Sequence, residues 1–267
     1  EIPDEMEEVP AGGYPLYMPG LDHLETEPTG AFLMDRHPVT NLEYKRFVDD
    51  GGYTREEFWR EPFNEGERTL PRAEAIARLT DAVGMPGPAQ WEMGDYPTGE
   101  GDHPVTGVSW YEARAYAAWA DKTLPTLFHW NRVAMTDSSA LIVPFANLSG
   151  RGTVAVGSTN SVNRFGVHDL AGNVREWVVN SIGSSDQRYI LGGGWNDMGY
   201  AFVDAYGQPA FHRSATNGIR CIRELAPDPN RERLARAIEF PTRDFLAEPA
   251  VSDDVFGFFL RQFSYDR

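Results

Sequence analysis

The sequence predicts a domain that mixes a few helices with short strands joined by long irregular segments. Three observations carry that expectation. Two stretches open on a hydroxyl residue with Glu three positions later and apolar residues at helical spacing beyond it: Thr40 with Glu43, and Ser109 with Glu112. The strand-like runs, Phe32 to Asp35 and Tyr189 to Leu191, are only a few residues long. Aromatic residues make up 12% of the chain, seven of them Trp, which points to an irregular interior filled by large rings.

Residues 1–30 read as an extended entry leading to Phe32. Thr40 caps a helix that carries Tyr44, Phe47 and Val48 on one face and ends at Gly51-Gly52. Residues 54–102 hold a charged, partly helical piece around Phe58, Trp59 and Phe63, then a loop dense in Pro and Gly. Ser109 caps the second helix, whose stripe is Ala113, Tyr116, Ala117 and Ala120. Thr126 caps a third, but His129 stands where a capping box needs an acid, so this helix is expected to begin less firmly.

The stretch Asn163 to Trp177, NRFGVHDLAGNVREW, organises the rest. Asn163, Gly166, Gly172 and Asn173 suit tight turns, and Phe165, Val167, Leu170, Val174 and Trp177 can be buried around them. Two carboxylates frame the second turn. Asp169, Glu176 and the carbonyls of Gly172 and Val174 are therefore expected to hold one structural calcium ion, a hard cation that takes six to eight oxygens.

Composition narrows the function. The formal charge is −16, with acidic residues dense at the start, and a nucleic-acid partner would need a basic face. No apolar run is long enough to insert in a membrane. The single cysteine, Cys221, leaves no internal disulfide or dithiol centre and fits a reducing compartment, so a cytoplasmic location is expected. The first residue is Glu1 rather than Met, which suggests a processed chain or a piece of something longer.

Four strings, in order, resemble the formylglycine-generating-enzyme family, also called the sulfatase-modifying-factor domain. They are HPVTNLEYKRF from His37, HPVTGVSWYEARAYAAW from His103, the Asn163–Trp177 stretch, and SATNGIRC from Ser214. In the third, Gly166, Asp169, Gly172, Asn173, Val174, Glu176 and Trp177 match, while Arg175 stands where an aromatic is usual. The resemblance implies an α+β, C-type-lectin-like fold with two main helices and short antiparallel strands over residues 1–224. Residues 225–267 fall outside it. There LAPDPNR reads as a linker, Pro241 and Pro249 divide the remainder of the tail, and Ser252 caps an amphipathic helix bearing Val255, Phe256, Phe259, Leu260 and Phe263. This tail resembles joining segments of large bacterial chains in which such a domain follows a protein kinase and precedes a hydrolase.

The family's oxidases hold copper with two cysteines just after the strand that ends here in GGGW. Soft thiolates suit Cu(I), so the residue type is part of the mechanism. In this chain those positions fall at Asp197 and near Phe202, and neither is Cys. Formylglycine generation is not expected. The iron-dependent sulfoxide synthases of the family carry an H-x3-H-x-E string in an extra domain, and none of the six histidines has that spacing.

Two functions remain. The first is a ligand- or protein-binding module, sensory or scaffolding, within a larger bacterial protein. Its surface would be formed by Trp195, Asn196, Tyr200, Phe202, Tyr206 and Phe211, aromatic groups with polar neighbours as binding surfaces favour. The alternative is an enzyme with non-copper chemistry, non-haem iron or acid–base, in a pocket where Asp197, His212 and Asn217 converge. Asp204 and Arg213 in the same region are expected to form a structural ion pair.

Overall fold

The computed structural model describes residues 2–135, 138–240, 246–247 and 249–263. Pro241 and the last four residues of the tail lie outside them.

The N-terminal strand β1 (Met6–Val9) pairs antiparallel with β2 (Phe32–Asp35), and β2 pairs on its other side with β9 (Ile222–Glu224), so one small sheet joins the two ends of the domain. Helix α1 (Asn41–Asp49) starts at Thr40 with the complete capping box: the Thr40 hydroxyl accepts from the Glu43 N–H, and the Glu43 carboxylate accepts from the Thr40 N–H. A hairpin of β3 (Phe63–Glu65) and β4 (Arg68–Leu70) and the short helix α2 (Arg72–Ile76) come next, within the stretch that is least legible in the sequence.

Helix α3 (Trp110–Trp119) repeats the capping box with Ser109 and Glu112. Glu112 is fully buried and also accepts from the Tyr53 hydroxyl at 2.6 Å and from Arg213 at 2.8 Å. One cap residue thus ties α3 to two distant loops. Arg213 further donates to the carbonyls of Thr80, Gly87 and Gly107. The expected Asp204–Arg213 pair is corrected on this point: a buried guanidinium with several donors is better satisfied by one buried carboxylate and three carbonyls.

Helix α4 (Leu127–Ala134) starts at Thr126, whose hydroxyl accepts from the His129 N–H. His129 lacks the acid's second bond to the cap backbone; its Nδ1 meets the same hydroxyl at 2.7 Å instead. Burial lowers the His129 pKa to about 4.

The second sheet runs in the order β7 (Tyr206–Pro209), β6 (Gln187–Leu191), β5 (Arg175–Ser181), β8 (Asn217–Gly218). The β5–β6 and β6–β7 pairs are antiparallel and β5–β8 is parallel. Strand β7 is an edge.

Two aromatic-rich cores flank these elements. One joins α1, α3 and the 53–91 region, where Tyr44 stacks on Tyr116 at 5.4 Å and Phe47 meets both. The other joins α4, β2 and β6 around Trp130 and Phe202. Cys221 is completely buried, and burial pushes its thiol well above the usual range, as a packing residue should be.

Beyond Glu224, where the sequence suggests a linker, helix α5 (Arg231–Leu234) brings Leu234 and Ile238 into the second core. Asn180 on β5 donates to the carbonyls of Leu234 and Arg236 at 2.8 Å each. Helix α6 (Asp253–Phe263) forms as expected after Ser252, whose carbonyl accepts from the Phe256 N–H, and none of its residues is buried.

Candidate functional site

The Asn163–Trp177 stretch is a pair of tight turns feeding β5. Gly166, Asp169, Gly172 and Asn173 all have positive φ, between 54° and 84°. At Gly172 the requirement is steric as well, since a Cβ there would lie 2.3 Å from the Asn147 carbonyl oxygen. Asn173 locks the neighbouring loop: its N–H donates to the Asn147 carbonyl, and its side-chain oxygen accepts from the Val154 N–H at 2.9 Å. Strand β5 leaves this anchor with Arg175 and Glu176 as its first two residues, and successive strand side chains point to opposite faces.

Glu176 points into the core. Its Oε1 accepts from Arg220 Nε at 2.9 Å and lies 2.8 Å from Nη2, and its Oε2 accepts from Trp130 Nε1 at 2.9 Å. Both charged side chains are wholly buried. Burial raises the Glu176 pKa, and Arg220 opposes that shift. Arg220 completes itself on the carbonyls of Asp35 and His168.

Asp169 is also buried, with Oδ2 accepting from the Gly157 N–H at 2.6 Å and Oδ1 from the Thr159 hydroxyl at 2.8 Å. These partners do not fit the expected calcium set of Asp169, Gly172, Val174 and Glu176. Glu176 faces a guanidinium rather than a vacant oxygen shell, and the oxygens of Asp169 already serve two protein donors. With Glu176 taken up by Arg220, Asp169 and the two carbonyls would supply three protein oxygens, and water or further carbonyls would have to complete the six to eight the ion takes. Among the described residues no group of three or more His, Cys, Asp or Glu side chains converges as metal ligands would.

Arg175 points the other way. It is 9% exposed, and its Nη2 pairs with Asp197 Oδ2 at 2.8 Å. The same Oδ2 accepts from the Gly194 N–H at 2.6 Å. The guanidinium carbon lies 4.5 Å from the centre of the Tyr206 ring, a cation–π contact. Arg175 Nη1 is buried and has no hydrogen-bond partner. Gly194 sits where a Cβ would come within 2.6 Å of the Thr216 side chain, so the loop carrying Asp197 packs closely on the residue before β8.

His212 and Asn217 form a separate group. His212 Nδ1 meets Gln208 Oε1 at 2.5 Å, and Asn217 Nδ2 donates to the same oxygen at 2.8 Å and to the His212 carbonyl at 3.1 Å. An amide oxygen only accepts, so Nδ1 carries the proton and Nε2 is the free base. Burial lowers the His212 pKa. The expected convergence is thus divided: His212 and Asn217 meet at Gln208, whereas Asp197 belongs to Arg175. The wider concavities, of about 370 and 430 Å³, lie instead around Lys122 and Arg223 and are lined by none of these three.

The aromatic set is divided too. Phe202 is buried against Trp130 at 5.6 Å and is corrected to a core residue, while Phe211 is half-buried and packs on Tyr111 and Phe63 at 4.7 and 6.1 Å. Trp195 is half-buried, with its indole N–H on the Ala215 carbonyl. Asn196, Tyr200 and Tyr206 are exposed as expected, and the exposed Met198 joins them. Met198 carries no ring, so an aromatic pattern does not include it. Arg175 is visible in the sequence as a misfit in the motif, but only the structure supplies Asp197 as its partner.

The family profile described as Sulfatase-modifying factor enzyme 1-like domain matches residues 22–225. The chain belongs to the sulfatase-modifying-factor family. A relative named hercynine oxygenase, from Mycolicibacterium smegmatis, is 27% identical over 208 residues, covering 72% of this chain and 45% of that protein. A Serine/threonine-protein kinase pkn1 of Chlamydia caviae is 31% identical over 155 residues, covering 55% of this chain and 22% of the kinase. The chain therefore spans less than half the length of these two relatives. The solved structure of PvdO from Pseudomonas aeruginosa superposes with a TM-score of 0.56 at 19% identity, covering 82% of this chain and 94% of that one, and this likeness supports the α+β family fold. Among the described residues no helix is long and apolar enough to cross a membrane.

Proposed function

We propose that this member of the family is a ligand- or protein-binding module, sensory or scaffolding, within a larger bacterial protein. The supporting observation is the surface that replaces an oxidase centre. Where the family's oxidases carry cysteines, this chain places Asp197 in an ion pair with Arg175 and surrounds it with large side chains left in water. Met198 is 62% exposed, Tyr200 69% and Tyr206 45%. Phe145, 49% exposed, lies on the neighbouring segment, whose Val143 approaches Gly199. Large apolar and aromatic groups clustered on a surface mark interaction sites more than enzyme pockets. Relatives that carry the domain within longer chains, among them a protein kinase, support the modular part of the reading.

Among the described residues, neither a histidine nor a set of copper ligands is assembled around Asp197. An enzyme with non-copper chemistry is the second reading: the exposed His212 with its Nε2 free favours acid–base work, and the relatives named as oxygenases favour non-haem iron.

The test is a thermal-shift and pull-down comparison of the wild-type domain with Tyr200→Asp and Met198→Asp, using candidate ligands and extracts of the source bacterium. A ligand retained by the wild type and lost by both variants, with melting unchanged, supports the surface. A ligand or turnover that survives both variants and is lost in His212→Gln moves the site to His212.

A further inference from the structure

The Arg175–Asp197 pair is unfinished on both sides. Arg175 is nine-tenths buried, yet its Nη1 has no hydrogen-bond partner. Asp197 uses only Oδ2, which takes both Arg175 Nη2 and the Gly194 N–H; among the described residues no hydrogen bond reaches Oδ1. Nη1 shares a carbon with Nη2, and Oδ1 shares one with Oδ2. The idle donor and the idle acceptor therefore each lie two covalent bonds from the same 2.8 Å ion-pair contact. A buried N–H without an acceptor carries its full desolvation cost, so a partner for it is strongly favoured.

The chemistry of that partner follows from charge and shape. Arg175 is already neutralised by Asp197, in a chain of net charge −16, so a second carboxylate would meet Asp197 without a free cation to balance it. A neutral group that accepts and donates along one edge fits instead. A primary carboxamide does this, since its C=O and one N–H point the same way. The trans amide of a peptide backbone does not, because its C=O and N–H point in opposite directions. Tyr206 lies over the guanidinium at 4.5 Å on the edge strand β7, where its ring can turn aside into solvent.

The geometry points to a carboxamide-binding site in which Arg175 Nη1 donates to the amide oxygen, Asp197 Oδ1 accepts the amide N–H, and the Tyr206 ring turns aside to admit the group. It rests on the binding-surface reading and names the chemistry that this surface selects. The carboxamide can belong to a small molecule or to an Asn or Gln side chain of a protein.

The test is side-chain NMR of arginine-¹⁵N-labelled protein titrated with acetamide, sodium acetate at matched ionic strength, N-acetylglutamine N-methylamide and N-acetylalanine N-methylamide. Acetamide and the glutamine derivative should shift the Arg175 signals, while acetate and the alanine derivative should not. At least tenfold tighter binding of the glutamine derivative than of acetamide assigns the site to a protein side chain; equal binding assigns it to a small carboxamide. Tyr206→Ala should tighten binding by roughly tenfold if the ring covers the site most of the time. Asp197→Asn turns the idle acceptor into a donor and should reverse the preference from acetamide to acetate. Acetate shifting the wild type as much as acetamide overturns the proposal. So does silence of Arg175 to every probe in both the wild type and Tyr206→Ala. A partner that still binds through Tyr200 and Met198 in that case leaves the binding surface standing without the carboxamide site.

Discussion

Arg175 and Glu176 are neighbours on one strand, and each meets an opposite charge at 2.8 Å, yet the two pairs differ in kind. On the inner side, Glu176 and Arg220 are wholly buried and the pair's own donors and acceptors are matched: Trp130, the Asp35 carbonyl and the His168 carbonyl complete them. On the outer side, Arg175 and Asp197 are 11% and 21% exposed, and Nη1 is idle. A finished pair in a closed core holds geometry. An unfinished pair at the surface, beside exposed Tyr206 and Met198, is poised to receive something. The motif residue that matches the family, Glu176, is tied into the core, and the residue that departs from it, Arg175, lies on the outer side under Tyr206.

The contrast breaks most visibly from the inside. Arg220→Met leaves Glu176 as a buried charge without its partner, and a loss of about 3–5 kcal/mol in the denaturant-unfolding free energy is expected. A loss below about 1 kcal/mol would mean that water reaches Glu176.

Acid should expose the same inner side. Burial holds the pKa values of His129 and His37 at about 4, against 6.5 for the free imidazole. Between those values the unfolded chain takes up protons that the folded one refuses. Stability is therefore full above pH 6.5 and falls as the pH drops towards 4. For the deeply buried His129 the loss is about 3 kcal/mol at most. His129→Gln should flatten the pH dependence of the melting temperature between pH 6.5 and 4; an unchanged slope would place the titration elsewhere.

The capping boxes rank next. Ser109→Ala is expected to cost about 1–2 kcal/mol and Thr126→Ala about 1 kcal/mol, measured by chemical unfolding. Equal costs would show that the His129 bond to the Thr126 hydroxyl replaces the missing acid in full.

The smallest effects are expected where the carboxylates already have protein partners, and at the exposed rim. Chelator should leave the melting temperature unchanged, and a drop of several degrees with calcium in the purified protein would restore an ion to Asp169 and its carbonyls. Tyr200→Asp should alter stability by less than about 0.5 kcal/mol while abolishing ligand binding.

Much of the fold was legible because local chemistry decides it. Thr40, Ser109 and Thr126 cap the helices they announce, and Phe32 to Asp35 is the strand it reads as. The site was legible only in part. Trp195, Asn196, Tyr200 and Tyr206 lie on or near the surface, but the same aromatic pattern does not say that Phe202 turns inward to Trp130 or that Phe211 fills the space beside Tyr111. Spacing alone could not reveal that Arg220, 44 residues away, takes Glu176 from a metal set, or that Arg213 prefers Glu112 at a separation of 101. Long-range ion pairs are set by which loops meet, and one sequence carries little record of that.

The most direct test is to unfold Glu176→Gln and Arg175→Gln side by side in denaturant. A loss of about 3–5 kcal/mol is expected for Glu176→Gln, which strands a buried guanidinium, and of about 1 kcal/mol or less for Arg175→Gln, which also removes an unmatched donor. Equal, large losses would contradict that difference, because both sides of the strand would then serve the fold and neither would be free to bind.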